Sequence, residues 1–246
     1  MATFAVIIAA AGKSSRFRDE HYKKPFAPLD NRAVWLHSVE RFINRSDVKQ
    51  VIVVISPDDR ETFMAKFGAN VAILGIDVVD GGAERSDSIA NALEHVRADV
   101  DYIAVHDAAR PCLAQEWIDR VFGAAEKTGA AILAIPVAGT LKRVGPGNTI
   151  ESTVPRDRVW EAQTPQVFER SLLLKAYAGH GKTPATDDAE LVQRCGHAVT
   201  VVTGSSLNLK ITTREDLRLA AQALHALPKP KVLGPAHPFA DDDLWR

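Results

Sequence analysis

The chain has 246 residues, 46% of them apolar and 25% charged, with a formal net charge of -1. That length suits one large α/β domain, or one domain with an appended arm, and buries a core without disulfides or structural metal. The balanced charge excludes the global field of a nucleic-acid or membrane-surface binder, so phosphate chemistry would have to use locally concentrated cations. Cys112 and Cys195 form no CxxC or Cys/His cluster and read as packing residues of a protein from a reducing compartment. The N-terminus, MATFAVIIAAAGKSSR, lacks a basic leader, and its apolar run is too short to span a bilayer. A cytoplasmic protein with neither membrane nor nucleic-acid partners is expected.

Residues 3–9 (TFAVIIA) are continuously apolar, the pattern of a strand covered on both faces. Residues 33–44 space Val34, His37, Val39, Phe42 and Ile43 as one face of a helix. A second buried strand over 50–55 (QVIVVI) is stopped by Ser56-Pro57. A helix over 59–67, a short strand over 77–79 ending at Gly81-Gly82, and a helix over 86–96 follow. The pattern continues with a strand at 102–105, a helix at 115–127 and a strand at 131–135. Such alternation predicts a mostly parallel sheet flanked by helices, with its ligand at the carboxyl ends of the strands. The charged and Gly-rich segments 12–16, 81–85 and 106–110 all fall at those ends, which points to one cleft.

Between 138 and 161 the pattern changes to alternating polar and apolar residues around Gly145-Pro146-Gly147, the signature of a projecting hairpin. An isolated hairpin is marginal in water, so this arm is expected to pack on a partner subunit. Helices at 171–178, 187–194 and 214–226 and a strand at 198–202 complete the domain over 1–227. Residues 228–246 carry Pro228, Pro230, Pro235, Pro238 and the acidic run 241–243 and read as an extended tail.

Three constellations could carry chemistry. Ala9-Ala10-Ala11-Gly12-Lys13-Ser14-Ser15-Arg16 directly follows the first strand. Its small residues allow close backbone approach to a ligand and its amides can surround phosphate oxygens, with Arg16 and Lys24 supplying positive charge. It matches neither GxxxxGK[ST] nor GxGxxG, which lowers the weight of a P-loop NTPase and of a nicotinamide-dependent reductase. In the second, Gly81-Gly82 precedes a polar helix start where Ser86, Asp87 and Ser88 either cap the helix or read a base. In the third, Asp107 lies three residues before Arg110 at a strand end, able to hold a divalent cation or substrate hydroxyls while the arginine meets phosphate. A surface Asp–Arg pair would explain the same spacing. Thr140, Lys142, Arg143, Arg156, Thr164, Thr186-Asp187-Asp188 and Lys210 could complete a basic pocket for a second phosphorylated substrate. No Ser/His/Asp or Cys/His arrangement suggests covalent catalysis.

At AAGKSSRF, KKPFAPL, GGAERSDSI, VHDAARPCL, PVAGTLKRV, TVPRDRVWEAQTPQVF, TDDAELV and NLKITTREDL the chain resembles the 2-C-methyl-D-erythritol 4-phosphate cytidylyltransferases of the non-mevalonate isoprenoid pathway. The resemblance implies a Rossmann-like nucleotidyltransferase fold, a homodimer joined through the arm, and Mg²⁺-dependent transfer of CMP from CTP to methylerythritol phosphate. It implies that Ala10, Ala11, Gly12, Lys13, Gly82 and Ser88 contact CTP and that Arg16 and Lys24 are the transition-state cations. It places Asp107 on metal and substrate, Arg110 beside it, and Thr140, Arg156, Thr186 and Lys210 on methylerythritol phosphate, with Arg156 reaching across the dimer. The chain departs from the family pattern at Ser14 and Ala83, where a glycine and an acidic residue are common, and is about one residue longer between Arg16 and Lys24.

Overall fold

The computed structural model describes residues 1–12, 17, 22–179 and 185–228. The chain begins with strand β1 (Phe4–Ala9) and, after the short pair β2 (Pro28–Leu29) and β3 (Arg32–Ala33), forms helix α1 (Val34–Ile43) and strand β4 (Val48–Ile55). Helix α2 (Arg60–Leu74), strand β5 (Asp77–Asp80), helix α3 (Arg85–Leu93) and strand β6 (Tyr102–Asp107) continue the alternation. Helix α4 (Gln115–Thr128) and strand β7 (Ala130–Pro136) lead to the hairpin β8 (Leu141–Val144) and β9 (Ile150–Val154). Strand β10 (Trp160–Glu169), helices α5 (Arg170–Ala178) and α6 (Asp188–Arg194), strand β11 (Thr200–Thr203) and helix α7 (Arg214–His225) complete it.

Seven strands of the described chain pair in the order β11-β7-β10-β6-β1-β4-β5. β1, β4, β5 and β6 run parallel, as β7 and β11 do to each other, and only β10 is antiparallel to both its neighbours. The expected mostly parallel α/β sheet is therefore present. The two-residue period of β1 divides its side chains between two cores. Phe4, Val6 and Ile8 meet Trp35 and Phe42 of α1, Phe63 of α2 and Trp117 of α4 on one face. Ala5 and Ile7 meet Ile89 of α3, Leu173 of α5 and Val192 of α6 on the other. Each fully buried Ile, Val or Phe contributes roughly 1.5–3 kcal/mol of transfer free energy, so layers on both faces hold the sheet rigid.

Two elements differ most from the sequence reading. Helix α2 does not stop at Phe67 but runs through Gly68 to Leu74, where Gly75 at φ 62° ends it. A glycine inside a helix costs only about 1 kcal/mol, which the burial of Phe67 and Val71 offsets. Strand β10 carries no strand signature in the sequence, because its buried centre is polar (Gln163, Thr164 and Gln166) and contains Pro165. The β10–β7 register shifts between Ala162 and Gln166, and that irregularity accommodates a proline that cannot donate to the ladder.

The hairpin forms a two-stranded sheet of its own, with Gly147 at φ 80° in its turn. Val144 and Ile150, partners in its register, are both exposed. No helix among the described residues is long and apolar enough to cross a membrane. Residues 229–246 of the predicted tail lie outside the described residues.

Candidate active site

Parallel pairing carries the ends of β1, β4, β5 and β6 to one edge of the sheet, and the ladder extends a residue further there. Ala10 N donates to Val54 O (2.8 Å), Gly81 N to Ile55 O (2.7 Å) and Ala108 N to Ala9 O (3.1 Å). The chain reverses direction across β1, moving outward through β4 and β5 and then back to β6, and a crevice opens at such a reversal. Here it is a cleft of about 840 Å³. Its walls bring together the three segments picked from the sequence: Ala10, Ala11 and Gly12; Gly82 and Ser88; and Asp107. Lys24 and Lys210 line it as well. Lys13 and Arg16 lie outside the described residues.

The glycine pair is required by contact. A Cβ at Gly81 would sit 2.6 Å from Ala11 Cβ and 2.8 Å from Ser88 Oγ, and one at Gly82 would sit 2.4 Å from Asp87 Cβ. Ser88 is buried; its hydroxyl accepts from Gly82 N (3.1 Å) and donates to Glu84 O (2.9 Å), so it shapes the glycine loop. Asp87 Oδ2 accepts from Glu84 N (3.1 Å), the capping alternative for this segment.

Lys24 opens a short turn, Lys24–Phe26, anchored beneath by Phe26 against Phe63 (5.6 Å between ring centres). Lys23 reaches across the rim to Asp59, with Nζ 2.7 Å from Oδ1 and 2.9 Å from Oδ2. The lysine-bearing segment is thereby tied to the turn after β4.

Asp107 is the electrostatic centre. Its Oδ2 lies 2.6 Å from Lys210 Nζ and 3.8 Å from Arg110 Nε, and its Oδ1 lies 3.8 Å from Arg85 Nε. Burial alone would raise its pKa, but Lys210 first and then Arg85 hold the carboxyl well below the usual carboxylate range. Behind it, Asp107 N donates to Thr164 Oγ1 (3.0 Å), which lies 3.0 Å from His106 Nδ1. Burial lowers the His106 pKa to about 4, so the ring is neutral. Its Nε2 faces the Arg110 carbonyl at 3.0 Å, which can only accept, so the proton sits on Nε2 and Thr164 donates to Nδ1.

Arg110 is buried and donates to Asn208 O (2.7 Å) and Ala162 O (3.3 Å), rather than projecting into the cleft as a phosphate ligand would. The Asn208 side chain donates to Thr164 O (2.9 Å), and Ile211 N donates to Ala109 O (2.8 Å). These bonds bracket Lys210 and fix it beside Asp107. Thr140 and Arg156 lie exposed on and beside the hairpin, outside the cleft walls, with the Arg156 guanidinium on the Ala138 carbonyl. Thr186 is exposed at the start of α6, where its amide and hydroxyl both donate to Glu190 Oε2 (2.8 and 2.9 Å).

Arg85, at the end of the strand-end segment 81–85, lines the cleft and binds the buried Asp188 at 2.7 Å, a role its sequence position does not assign. Its partner lies 103 residues away, so no local spacing could have signalled the pair. No cluster of three His, Cys, Asp or Glu side chains fit to hold a metal occurs among the described residues. In the cleft the Asp107 carboxylate is already surrounded by Lys210, Arg85 and Arg110.

The model of the family described as 2-C-methyl-D-erythritol 4-phosphate cytidylyltransferase matches residues 4–226. The 2-C-methyl-D-erythritol 4-phosphate cytidylyltransferase of Rhodopirellula baltica is 43% identical over 236 residues, 91% of this chain and 96% of that protein. A bifunctional enzyme IspD/IspF of Desulfotalea psychrophila is 37% identical over 226 residues, 92% of this chain but 58% of that longer protein. The crystal structure of 2-C-methyl-D-erythritol 4-phosphate cytidylyltransferase from Thermus thermophilus superposes with a TM-score of 0.74 at 32% identity, covering 92% of this chain and 100% of that one. With a matching family model over most of its length and relatives this similar over nearly their whole length, the chain belongs to the 2-C-methyl-D-erythritol 4-phosphate cytidylyltransferase family.

Proposed function

We propose that the protein transfers CMP from CTP to 2-C-methyl-D-erythritol 4-phosphate, giving 4-diphosphocytidyl-2-C-methyl-D-erythritol and pyrophosphate for isoprenoid precursor synthesis. The observation that carries this reading is the meeting of a glycine-lined loop pair with Asp107, Lys210 and Arg85 in one cleft, in a member of this family.

A phosphate monoester is largely dianionic at neutral pH, so the nucleophile needs no strong base. Its oxygen attacks the α-phosphorus of CTP in line; a new P–O bond forms, the bond to the β-phosphate oxygen breaks, and pyrophosphate leaves with that electron pair. What the protein must do is bring two anions together and stabilise charge on the α-phosphate and the leaving group, which fixed cations do without reorganising. Ala10, Ala11, Gly12 and Lys13 lie along the triphosphate, and Gly82 and Ser88 shape the wall for the base. Arg16 and Lys24 neutralise the transition state, while Lys210 receives the acceptor phosphate and Asp107 its hydroxyls. Arg110 serves this arrangement by holding the Lys210 segment in place. A Mg²⁺ ion, held by Asp107 together with substrate phosphates, would supply further charge neutralisation at the triphosphate.

Thr140 and Arg156 reach the acceptor by way of a homodimer, the arm of one protomer entering the cleft of its partner. Two features support this: both residues lie off the cleft of their own chain, and the hairpin exposes Val144 and Ile150. Thr186 closes the same site from the α6 side. The test is incubation with CTP, Mg²⁺ and methylerythritol phosphate, with ribitol phosphate as competing acceptor and products separated by mass. The cytidyl diphosphate ester of methylerythritol should dominate; preference for ribitol phosphate would replace the acceptor and keep the chemistry.

A further inference from the structure

Arg85 occupies the first position of α3. A cation there opposes the positive end of the helix dipole, so its placement needs a counter-charge. Asp188, the first residue of α6, supplies one. It is 0% exposed; its Oδ2 accepts from Arg85 Nη2 at 2.7 Å and its Oδ1 from the Tyr177 hydroxyl at 2.5 Å. The residues on either side are pinned to β10: Gln166 Nε2 donates to the Asp187 carboxylate at Oδ2 (2.8 Å), and Ala189 N donates to Gln166 Oε1 (3.0 Å). The carboxylate is thus fixed by a strand, a helix start and a tyrosine before the arginine meets it.

The guanidinium so held lies along the cleft wall with its Nε 3.8 Å from Asp107. Lys210, Arg110 and Arg85 together face Asp107 and Asp188, so this cluster carries one more positive than negative charge. Released from Asp188, the Arg85 fork would either close on Asp107, competing with Lys210, or extend into solvent. Burial would lower the Arg85 pKa, but Asp188 and then Asp107 raise it instead, so the charge persists throughout the working pH range.

We propose that Asp188 is a positioning residue for the transfer reaction, aiming Arg85 along the cleft wall beside Asp107 with Tyr177 as its own support. The proposal rests on the cytidylyl-transfer reading above, and its distinguishing property is that Asp188 acts only through Arg85. An Asp188 that merely held α6 in place would matter equally with or without that arginine.

The experiment is a double-mutant cycle of wild type, Asp188→Asn, Arg85→Gln and the double variant, each checked by thermal melting and assayed for kcat and KM with CTP and methylerythritol phosphate. Asp188→Asn should lower kcat/KM about tenfold or more in the wild-type background, the scale of one charge-assisted contact, and by less than about twofold in the Arg85→Gln background. Equal losses in both backgrounds, or no loss in either, would overturn the proposal. Should Asp188→Asn fail to fold, Tyr177→Phe takes its place in the cycle with the same two outcomes. The same proteins are titrated with CTP by calorimetry, which reads the cleft without turnover. Coupling in CTP affinity with an inactive wild type would sink the acceptor assignment and leave the role of Asp188 standing; additive effects on CTP affinity in an active enzyme, matching additive effects on turnover, would sink the role of Asp188 alone.

Discussion

Replacing Lys210 by alanine separates substrate binding from folding. In the structure Lys210 Nζ is 2.6 Å from Asp107 Oδ2, yet the lysine side chain is 39% exposed. Asp107 is buried but keeps Arg85 and Arg110 as partners, and the lysine end of the pair is open to water, so losing it costs the fold about 1 kcal/mol. For a chain of this size that corresponds to a fall in Tm of about 2–4 °C, with Arg85 and Arg110 still facing the carboxylate. Loss of a charge-assisted contact to the acceptor phosphate costs more, about 1.5–3 kcal/mol, which is roughly a ten- to hundredfold rise in KM for methylerythritol phosphate. Steady-state kinetics with each substrate varied in turn, alongside a thermal melt, measures all three quantities. The expected pattern is a large rise in the acceptor KM, little change in the CTP KM and a small loss of Tm. An unchanged acceptor KM, or a defect confined to CTP, would refute the placement of Lys210.

Arg16→Ala or Lys24→Ala should lower turnover by about a hundredfold or more, the scale of one transition-state donor, as read from kcat; near-normal kcat in both would remove them from the chemistry. Gly81→Ala forces a Cβ to 2.6 Å from Ala11 Cβ and should destabilise by about 1–3 kcal/mol, so a melt identical to wild type would contradict the close approach of the two loops. His106 has its folded pKa depressed to about 4, so between pH 6.5 and 4 the unfolded chain binds a proton that the folded one does not. Its contribution is full above that window and falls by about 3 kcal/mol as pH drops through it, a slope that urea titrations should show and His106→Gln should flatten. Ile150→Asp places a charge on the exposed arm and should convert the expected dimer to a monomer in light scattering, with loss of transfer activity; an unaltered mass would remove the arm from the interface.

The parallel sheet and the convergence of three segments are legible in the sequence because their causes are local. β1 and β4 are apolar runs of strand length, and glycine, serine and charged residues mark the strand ends. β10 is not legible, since burying Gln163, Thr164 and Gln166 requires partners on distant segments, among them Ser205, His106 and Asp187. For Arg110 the spacing gives the location beside Asp107 but not its bonding partners. Three residues after Asp107 it could have met phosphate, but its guanidinium bonds the main chain at Ala162 and Asn208. The pairing of Arg85 with Asp188 is hidden for the same reason as β10. The sequence places Arg85 in a charged strand-end segment and Asp188 among the polar residues of a possible pocket, but only folding makes them a pair.

Pyrophosphate release from CTP, measured with Mg²⁺ in the presence and absence of methylerythritol phosphate, decides whether this cleft joins CTP to a sugar phosphate. Release should depend on the acceptor and saturate with it; release that ignores the acceptor, or none in its presence, would show that the cleft does something else.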